Sequence, residues 1–258
     1  MKLNSLAMVL FLAAASLFTA CNKDNPAEPG APAADTTTGN INIVMTHLFD
    51  GNPLQLLTQN YINAHGDTLN FEIFKYYLSN FKVKNTAGNW VVLPETYFLI
   101  DESNSDTKEF ALTGIPTGNY TEVSFIIGID SMRNCSGAQT GVLDPINGMF
   151  WDWNSGYLFV KLDGTSPQSP FGDFVYHLGG YKKPTNCIRW KSISFNGTNA
   201  SVSAISTPQL FLNVNVAEFF KNPVTIDVSQ IHHVTGGNDL MTLTDNYTDM
   251  WYFDHIVQ

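Results

Sequence analysis

Basic side chains are scarce in this sequence. Its 258 residues carry 13 Lys and Arg against 23 Asp and Glu, which gives a formal net charge of −10 at pH 7. Nucleic-acid phosphates are bound by clustered Lys and Arg, so an acidic chain without a basic run argues against nucleic acid as a partner. The same deficit argues against electrostatic docking to anionic lipid.

Long apolar runs are also missing, apart from one at the N-terminus. Lys2 precedes an apolar stretch over residues 6–17, which is too short to span a bilayer. The stretch ends at residues 18–21, Phe-Thr-Ala-Cys, and small residues before a Cys resemble a bacterial lipoprotein signal. The resemblance implies a signal peptide over residues 1–20, lipidation of Cys21 and membrane attachment through the lipid anchor alone. An ordinary secretory signal with an incidental Cys is the alternative.

Residues 21–40 are rich in Pro, Ala, Thr and Gly, a composition that cannot bury a core. They predict a flexible tether between the lipid and a single folded domain over residues 41–258. The protein is then expected in the cell envelope, as an outer-membrane lipoprotein that faces either the periplasm or the cell surface.

Cysteine is rare. Cys21 is assigned to the lipid, which leaves Cys135 and Cys187. Because the cell envelope is oxidising, a disulfide between these two residues is expected. The rival interpretation is a thiolate metal site, but the pair lacks the Cys-x-x-Cys spacing that is typical of such sites.

Sequence motifs of the common enzyme classes are absent as well. There is no His-Glu-x-x-His pair, no nucleophile elbow and no glycine-rich phosphate loop. Two carboxylates that converge only in space leave no spacing to find, so that class of hydrolase stays open. We therefore expect a binding protein and not an enzyme.

Short β-type segments alternate with turns from Ile41 onward. Residues 41–45 alternate apolar and polar side chains, as a half-buried strand does. Turn sequences lie at residues 86–89, 116–119 and 196–199. Many short strands at this spacing predict an all-β fold, an antiparallel β-sandwich. Short helical turns are expected near residues 55–57 and 216–220.

The densest group of aromatic residues lies in one short segment, residues 141–157. It contains Met149, Phe150, Trp151, Trp153 and Tyr157, with acids and amides between the rings. A core strand does not need polar residues at that density, whereas a loop that holds an oxidisable ring beside a metal or ligand does. The alternative is that these rings form ordinary core and rim.

Six His residues are scattered along the chain, which is how a β-scaffold builds a metal site from strand ends distant in sequence. Met149 and Met250 lie near some of them in the sequence. Thioether and imidazole groups together favour a soft ion, Cu(I) above all, over Mg²⁺ or Ca²⁺. For any single His or Met the alternative is an ordinary hydrogen-bonded or gap-filling residue.

Several ordered motifs resemble one family, the MbnP-like copper-binding domain first met in methanobactin gene clusters. Together they cover most of the chain from Ile41 to the C-terminus. In chain order they lie at residues 47–54, 77–81, 114–120, 125–130, 141–145, 148–153, 156–157 and 177–180. Cys135, Cys187 and the loops rich in Asn and Asp suggest a lipoprotein branch of that family.

The resemblance implies an extracytoplasmic β-domain that binds copper. Its matching residues are His47 and His177 as imidazole ligands. The secondary ligand candidates are Met149, Met250 and His255. In the family, one Trp is oxidised to kynurenine by a di-haem partner of the cytochrome c peroxidase and MauG type. Here that residue is Trp153 or Trp151, with Trp153 favoured because Asp, Asn and Gly flank it.

A second hypothesis comes from a different class of protein, an adhesive or carbohydrate-binding surface module. Trp151, Trp153 and Tyr157 would then form a stacking platform for sugar rings. A calcium site is a variant of this hypothesis, because oxygen ligands suit a hard ion. Its candidate ligands are Asp144, Asp152, Asn154 and Asp163. A purely structural envelope lipoprotein is the third possibility.

Overall fold

The computed structural model describes residues 37–152 and 156–258. The predicted signal peptide, the lipidation site Cys21 and most of the predicted tether lie outside these residues, as do Trp153 and Asn154. The first strand begins at Thr38, within the segment that the sequence assigns to the tether. In the part of the chain that the structure describes, no helix is long and apolar enough to cross a membrane.

Within the described residues, sixteen strands and two α-helices form the fold. They are β1 (Thr38–Phe49), β2 (Asn52–Pro53), β3 (Asn60–Ile62), β4 (Thr68–Asn85), β5 (Trp90–Val92), β6 (Tyr97–Asp101), β7 (Glu109–Pro116), β8 (Gly118–Ile127), α1 (Ser131–Cys135), β9 (Phe150–Asp152), β10 (Gly156–Thr165), β11 (Asp173–Gly179), β12 (Arg189–Ser194), β13 (Ala200–Val202), β14 (Gln209–Asn215), β15 (His233–Val234), α2 (Gly237–Tyr247) and β16 (Trp251–Val257).

Short 3-10 turns connect some of these elements. Their ranges are Ser105–Lys108, Gly141–Leu143, Pro145–Asn147 and Val216–Phe220. The helical turn expected near residues 216–220 is therefore confirmed. Residues 55–57 form no helix, because the chain reverses there with Leu57 in the left-handed region at φ 66°.

The strands form two sheets, and the predicted all-β sandwich is confirmed. The first sheet has five strands in the order β16-β14-β1-β2, with β7 also paired to β1. The second has eleven strands, and its main path runs β12-β8-β4-β10-β11-β15. Two pairs are parallel, β1 with β14 and β11 with β15, whereas the sequence led us to expect antiparallel pairing. An alternating pattern records which side chains are buried but not the direction of the neighbouring strand.

Alternation along β1 explains why one His belongs to the core. Ile41, Ile43, Met45, His47 and Phe49 are buried, and the residues between them are partly or fully exposed. Successive side chains of a strand point to opposite faces, so these five line the inner face of the first sheet. The chain therefore places an imidazole in a row of apolar side chains.

The long strand β4 lies at the centre of the second sheet and carries much of the aromatic core. Phe71, Phe74 and Tyr76 are fully buried on its inner side. Tyr76 meets Trp251 of the first sheet edge-on, with ring centroids 5.2 Å apart. Large aromatic rings in this geometry contribute about 0.5–1.5 kcal/mol per pair beyond the area they bury. They join the two sheets across the core.

The aromatic segment over residues 141–157 is anchored by its ends. Met149 and Tyr157 are fully buried, and the Tyr157 hydroxyl donates to the Leu143 carbonyl at 2.8 Å. Gly148 takes φ 69°, a left-handed conformation that ends the 3-10 turn Pro145–Asn147 and suits glycine. Met149 and Tyr157 are therefore core residues, whereas Phe150 and Trp151 are half-buried.

The expected disulfide is absent, because Cys135 and Cys187 are both free thiols. Cys135 is exposed at the end of α1. Cys187 is buried, and its thiol donates to the Gly179 carbonyl at 3.3 Å. The Cys135 side chain is exposed, whereas the Cys187 sulfur is buried against the Gly179 carbonyl. The two sulfur atoms are therefore not placed to form a disulfide.

Candidate metal centre

His47 uses both of its ring nitrogens inside the protein. Nδ1 lies 2.5 Å from a carboxylate oxygen of Glu102, and Nε2 lies 2.8 Å from the hydroxyl of Tyr76. Burial lowers the pKa of His47, and the hydrogen bond and charge of Glu102 oppose that change without reversing it. The buried ring is therefore neutral at neutral pH.

Glu102 fixes the tautomer of this ring. Burial raises the pKa of Glu102, but hydrogen bonds from His47 and Lys108 outweigh it and leave the pKa below its usual value. Lys108 Nζ lies 3.0 Å from the same carboxylate. An ionised carboxylate only accepts hydrogen bonds, so Nδ1 of His47 carries the proton and donates to Glu102. Nε2 is then the acceptor, and the Tyr76 hydroxyl donates to it.

His177 has a different environment on β11. Its Nε2 lies 3.0 and 3.1 Å from the two carboxylate oxygens of Asp163 on the neighbouring strand β10. Among the described residues, the structure gives Nδ1 no hydrogen-bond partner. A ring held by a carboxylate through one nitrogen, with the other nitrogen free, is the arrangement common to metal-binding His residues.

The two His residues do not share a site, which corrects the predicted ligand pair. Lys161 of β10 lies opposite His177, and Val160 lies opposite both Leu178 and Tyr76. His177 therefore belongs to the outward row of the second sheet, and Tyr76 belongs to the inward row. His47, bonded to Tyr76, is on the inner side, so the sheet separates the two imidazoles.

Trp151 packs against the end of β11. Its ring packs on Gly179, where an added Cβ would lie 3.2 Å from Cζ3 of Trp151 and 2.4 Å from the Tyr157 carbonyl oxygen. Residues two apart on a strand are on the same face, so Gly179 and His177 are about 7 Å apart there. Trp151 also lines a cleft of about 240 Å³ together with Tyr181 and other residues. Trp153, the favoured candidate for oxidation, lies outside the described residues.

The secondary ligand candidates lie in different environments. Met149 and Met250 are fully buried in the core. His255 is exposed on β16, where its ring stacks on Phe211 at 4.1 Å and its Nδ1 contacts Asp254 at 2.9 Å. His255 lies in the outward row of the first sheet, where it pairs with Phe211, so it joins neither His47 nor His177.

The proposed calcium ligands are engaged separately. Asp144 caps a 3-10 turn by accepting from the Ile146 amide at 2.9 Å, while Asp163 holds His177. Asn154 and the side chain of Asp152 lie outside the described part of the structure. The calcium and carbohydrate alternatives remain predictions.

A third group of metal-type donors was missed in the sequence. His65, Asp67 and Asp227 each place a ligand-type atom within 4.8 Å of the others. Asp67 is buried and accepts from Asn63 and from the Val228 amide. The His-x-Asp spacing at 65 and 67 is visible in the sequence. Asp227 was not predictable, because only the fold brings it to the other two.

The fold and these residues define a class: an all-β sandwich with one buried imidazole, His47, and with outward-facing imidazoles such as His177 that are also held by carboxylates. A profile of the MbnP family matches residues 38–239. The chain therefore belongs to the MbnP family, which confirms the resemblance seen in its motifs.

Among solved structures, MbnP from Methylosinus trichosporium is similar to this chain, with a TM-score of 0.50 and 14% sequence identity. The match covers 78% of this chain and 82% of that chain. At this identity the similarity shows the fold. A comparison with curated protein sequences finds no match.

Proposed function

We propose that the protein binds Cu(I) on the outer side of β11, with His177 as its imidazole ligand. Membership in the MbnP family supports a copper-related role. The choice of residue is carried by the hydrogen bond from His177 Nε2 to Asp163, which leaves Nδ1 free among the described residues, together with its place two residues from Gly179, against which Trp151 packs. A neutral imidazole is a suitable donor to Cu(I).

Trp151 is the residue that we propose to be oxidised. It is half-buried, borders a cleft and lies beside Gly179, two residues from His177. Opening of its indole ring to kynurenine would leave a ketone and an aniline, which are new donor groups near the metal. The oxidising equivalents would come from a partner of the di-haem cytochrome c peroxidase and MauG type. In this scheme the protein is a substrate and a metal carrier, not an enzyme.

We further propose that the domain is held at the cell envelope by a lipid on Cys21. The N-terminal sequence supports this location through its apolar stretch and the small residues before Cys21. Residues 21–40 would then connect the lipid to the sandwich.

The copper proposal is tested by competition between the protein and bicinchoninate for Cu(I) under anaerobic, reducing conditions. His177→Ala is expected to lose most of the affinity, because the imidazole donor is removed. His255→Ala is the matched control, since it removes an exposed imidazole from the other sheet. Wild-type affinity in His177→Ala would overturn the proposal.

The oxidation proposal needs a second measurement. Protein isolated from its native host, with the haem partner expressed, is digested and the peptide containing Trp151 is examined by mass spectrometry. The mass of a kynurenine at Trp151 supports the proposal. An intact Trp151, or oxidation confined to Trp153, contradicts the assignment of this residue.

A further inference from the structure

Four side chains form a continuous chain from the core to the surface. Trp251 meets Tyr76 edge-on, Tyr76 bonds His47 at 2.8 Å, and His47 contacts Glu102 at 2.5 Å. Tyr76 and Trp251 are almost completely buried, whereas Glu102 and its partner Lys108 reach the rim of the fold. The proposed copper site on β11 uses none of these residues.

The lowered pKa of Glu102 assigns the direction of each hydrogen bond in this chain. The carboxylate of Glu102 accepts from Nδ1 of His47, so Nε2 carries a lone pair that accepts the Tyr76 O–H. Burial holds the pKa of Tyr76 well above its usual value, so its phenol keeps its proton in the resting protein. The phenol proton therefore already points at a neutral base.

We propose that Tyr76 and His47 form a proton-coupled, one-electron redox site. A one-electron, outer-sphere oxidant removes an electron from the Tyr76 phenol, and the phenol proton moves to Nε2 of His47. The products are a neutral tyrosyl radical, an imidazolium and the reduced oxidant. Return of one electron to the radical, with the proton from Nε2, restores the starting state.

The apolar core around Tyr76 favours the coupled loss of an electron and a proton over the loss of an electron alone. A tyrosyl radical that kept its proton would be a buried cation, which is costly in an apolar core. Transfer to Nε2 instead creates an imidazolium whose Nδ1 is 2.5 Å from the ionised Glu102. The new positive charge is thus formed beside an existing negative charge, and Lys108 is the other charged group in contact with that carboxylate.

Trp251 extends the site toward the first sheet. Its ring centroid is 5.2 Å from that of Tyr76, and its indole is almost completely buried. Rings at this separation are close enough to exchange an electron. The next residue on β16, Tyr252, is exposed on the opposite side of that strand and serves below as a control.

The test is flash-quench oxidation of the metal-free protein with photogenerated tris(bipyridine)ruthenium(III), followed by freeze-trapping and EPR. The wild type is expected to give a tyrosyl radical with a slowly decaying component, because its ring is shielded from solvent. Tyr76→Phe should remove this component. Tyr252→Phe, which removes an exposed phenol, should leave it. A slow component that survives in Tyr76→Phe would overturn the proposal.

The role of the base is tested separately. His47→Gln keeps a polar side chain but no base, and formation of the slow radical should fall about a hundredfold, the size typical of a positioned proton acceptor. If that variant does not fold, Glu102→Gln and a comparison of the wild type in H₂O and D₂O take its place. Both should slow radical formation. Unchanged rates would show that the hydrogen bond is structural only.

Discussion

Tyr76 and His177 lie on opposite faces of the eleven-stranded sheet, because they pair with adjacent residues of β10. Val160 lies opposite both Tyr76 and Leu178, and the next residue of β10 lies opposite His177. The sheet therefore separates a buried hydrogen-bonded imidazole, His47, from an outward one. Each His can be tested without disturbing the other.

The buried ring predicts a pH dependence of stability. Because the pKa of His47 is lowered from 6.5 in the folded state, the unfolded state binds this proton more tightly. His47 therefore contributes full stability above pH 6.5, and that contribution is lost as the pH falls below this value. We expect the free energy of unfolding to decrease from pH 7.5 to about 5.5, as measured by urea denaturation.

The matched variants separate this effect from general acid sensitivity. His47→Gln should cost about 2 kcal/mol at pH 7.5 through weakened hydrogen bonds to charged Glu102. The same variant should show a shallower decrease in stability with falling pH. His255→Gln, at an exposed position, should keep the wild-type slope. An unchanged slope in His47→Gln would contradict a lowered pKa at this residue.

The amino-acid sequence itself indicates that the two imidazoles point to opposite faces. The alternation of Ile43, Met45, His47 and Phe49 already indicates that His47 points inward. The alternation of Phe174, Tyr176 and Leu178 likewise indicates that His177 points outward on β11. What alternation does not contain is the register between strands and the pairing of sheets. Only the folded structure identifies Glu102 and Tyr76 as the partners of His47, and Asp163 as the partner of His177.

Close packing at the end of β11 predicts that a side chain at position 179 lowers the stability of the fold. A Cβ there would lie 2.4 Å from the Tyr157 carbonyl oxygen and 3.2 Å from Trp151. Gly179→Ala should therefore destabilise the fold by about 2 kcal/mol, as overpacking does. Gly236→Ala is the control, because a Cβ at that position meets nothing within 4 Å. If Gly179→Ala and Gly236→Ala unfold at the same urea concentration, the close packing around Gly179 is contradicted.

The two free thiols predict different reactivities in a chain carrying Cys21→Ser. Cys135 is exposed and should react rapidly with Ellman's reagent in the native protein. Cys187 is buried, and burial raises the pKa of its thiol, so it should react only after unfolding. Quantified thiol release before and after denaturation measures both. If neither thiol reacts until a reductant is added, the disulfide forms after all.

Asp163 provides the sharpest test of how His177 is prepared to bind Cu(I). Its carboxylate accepts from Nε2 and so orients the ring with Nδ1 free. Asp163→Asn keeps the size of the side chain but removes its charge. We expect the Cu(I) affinity to fall about 10- to 100-fold, the usual cost of losing a carboxylate behind a metal-bound His. Competition with bicinchoninate measures this change.

The matched control for that experiment is Glu102→Gln. It makes the same change from carboxylate to amide, but behind the buried His47 on the other side of the sheet. If His177 is the ligand, Glu102→Gln lowers the stability of the protein and leaves its Cu(I) affinity unchanged. The reverse result, with affinity lost in Glu102→Gln and kept in Asp163→Asn, would move the copper site to the core. Copper binding in the core would require Tyr76 to release Nε2 of His47, because that nitrogen accepts the Tyr76 hydroxyl in the folded protein.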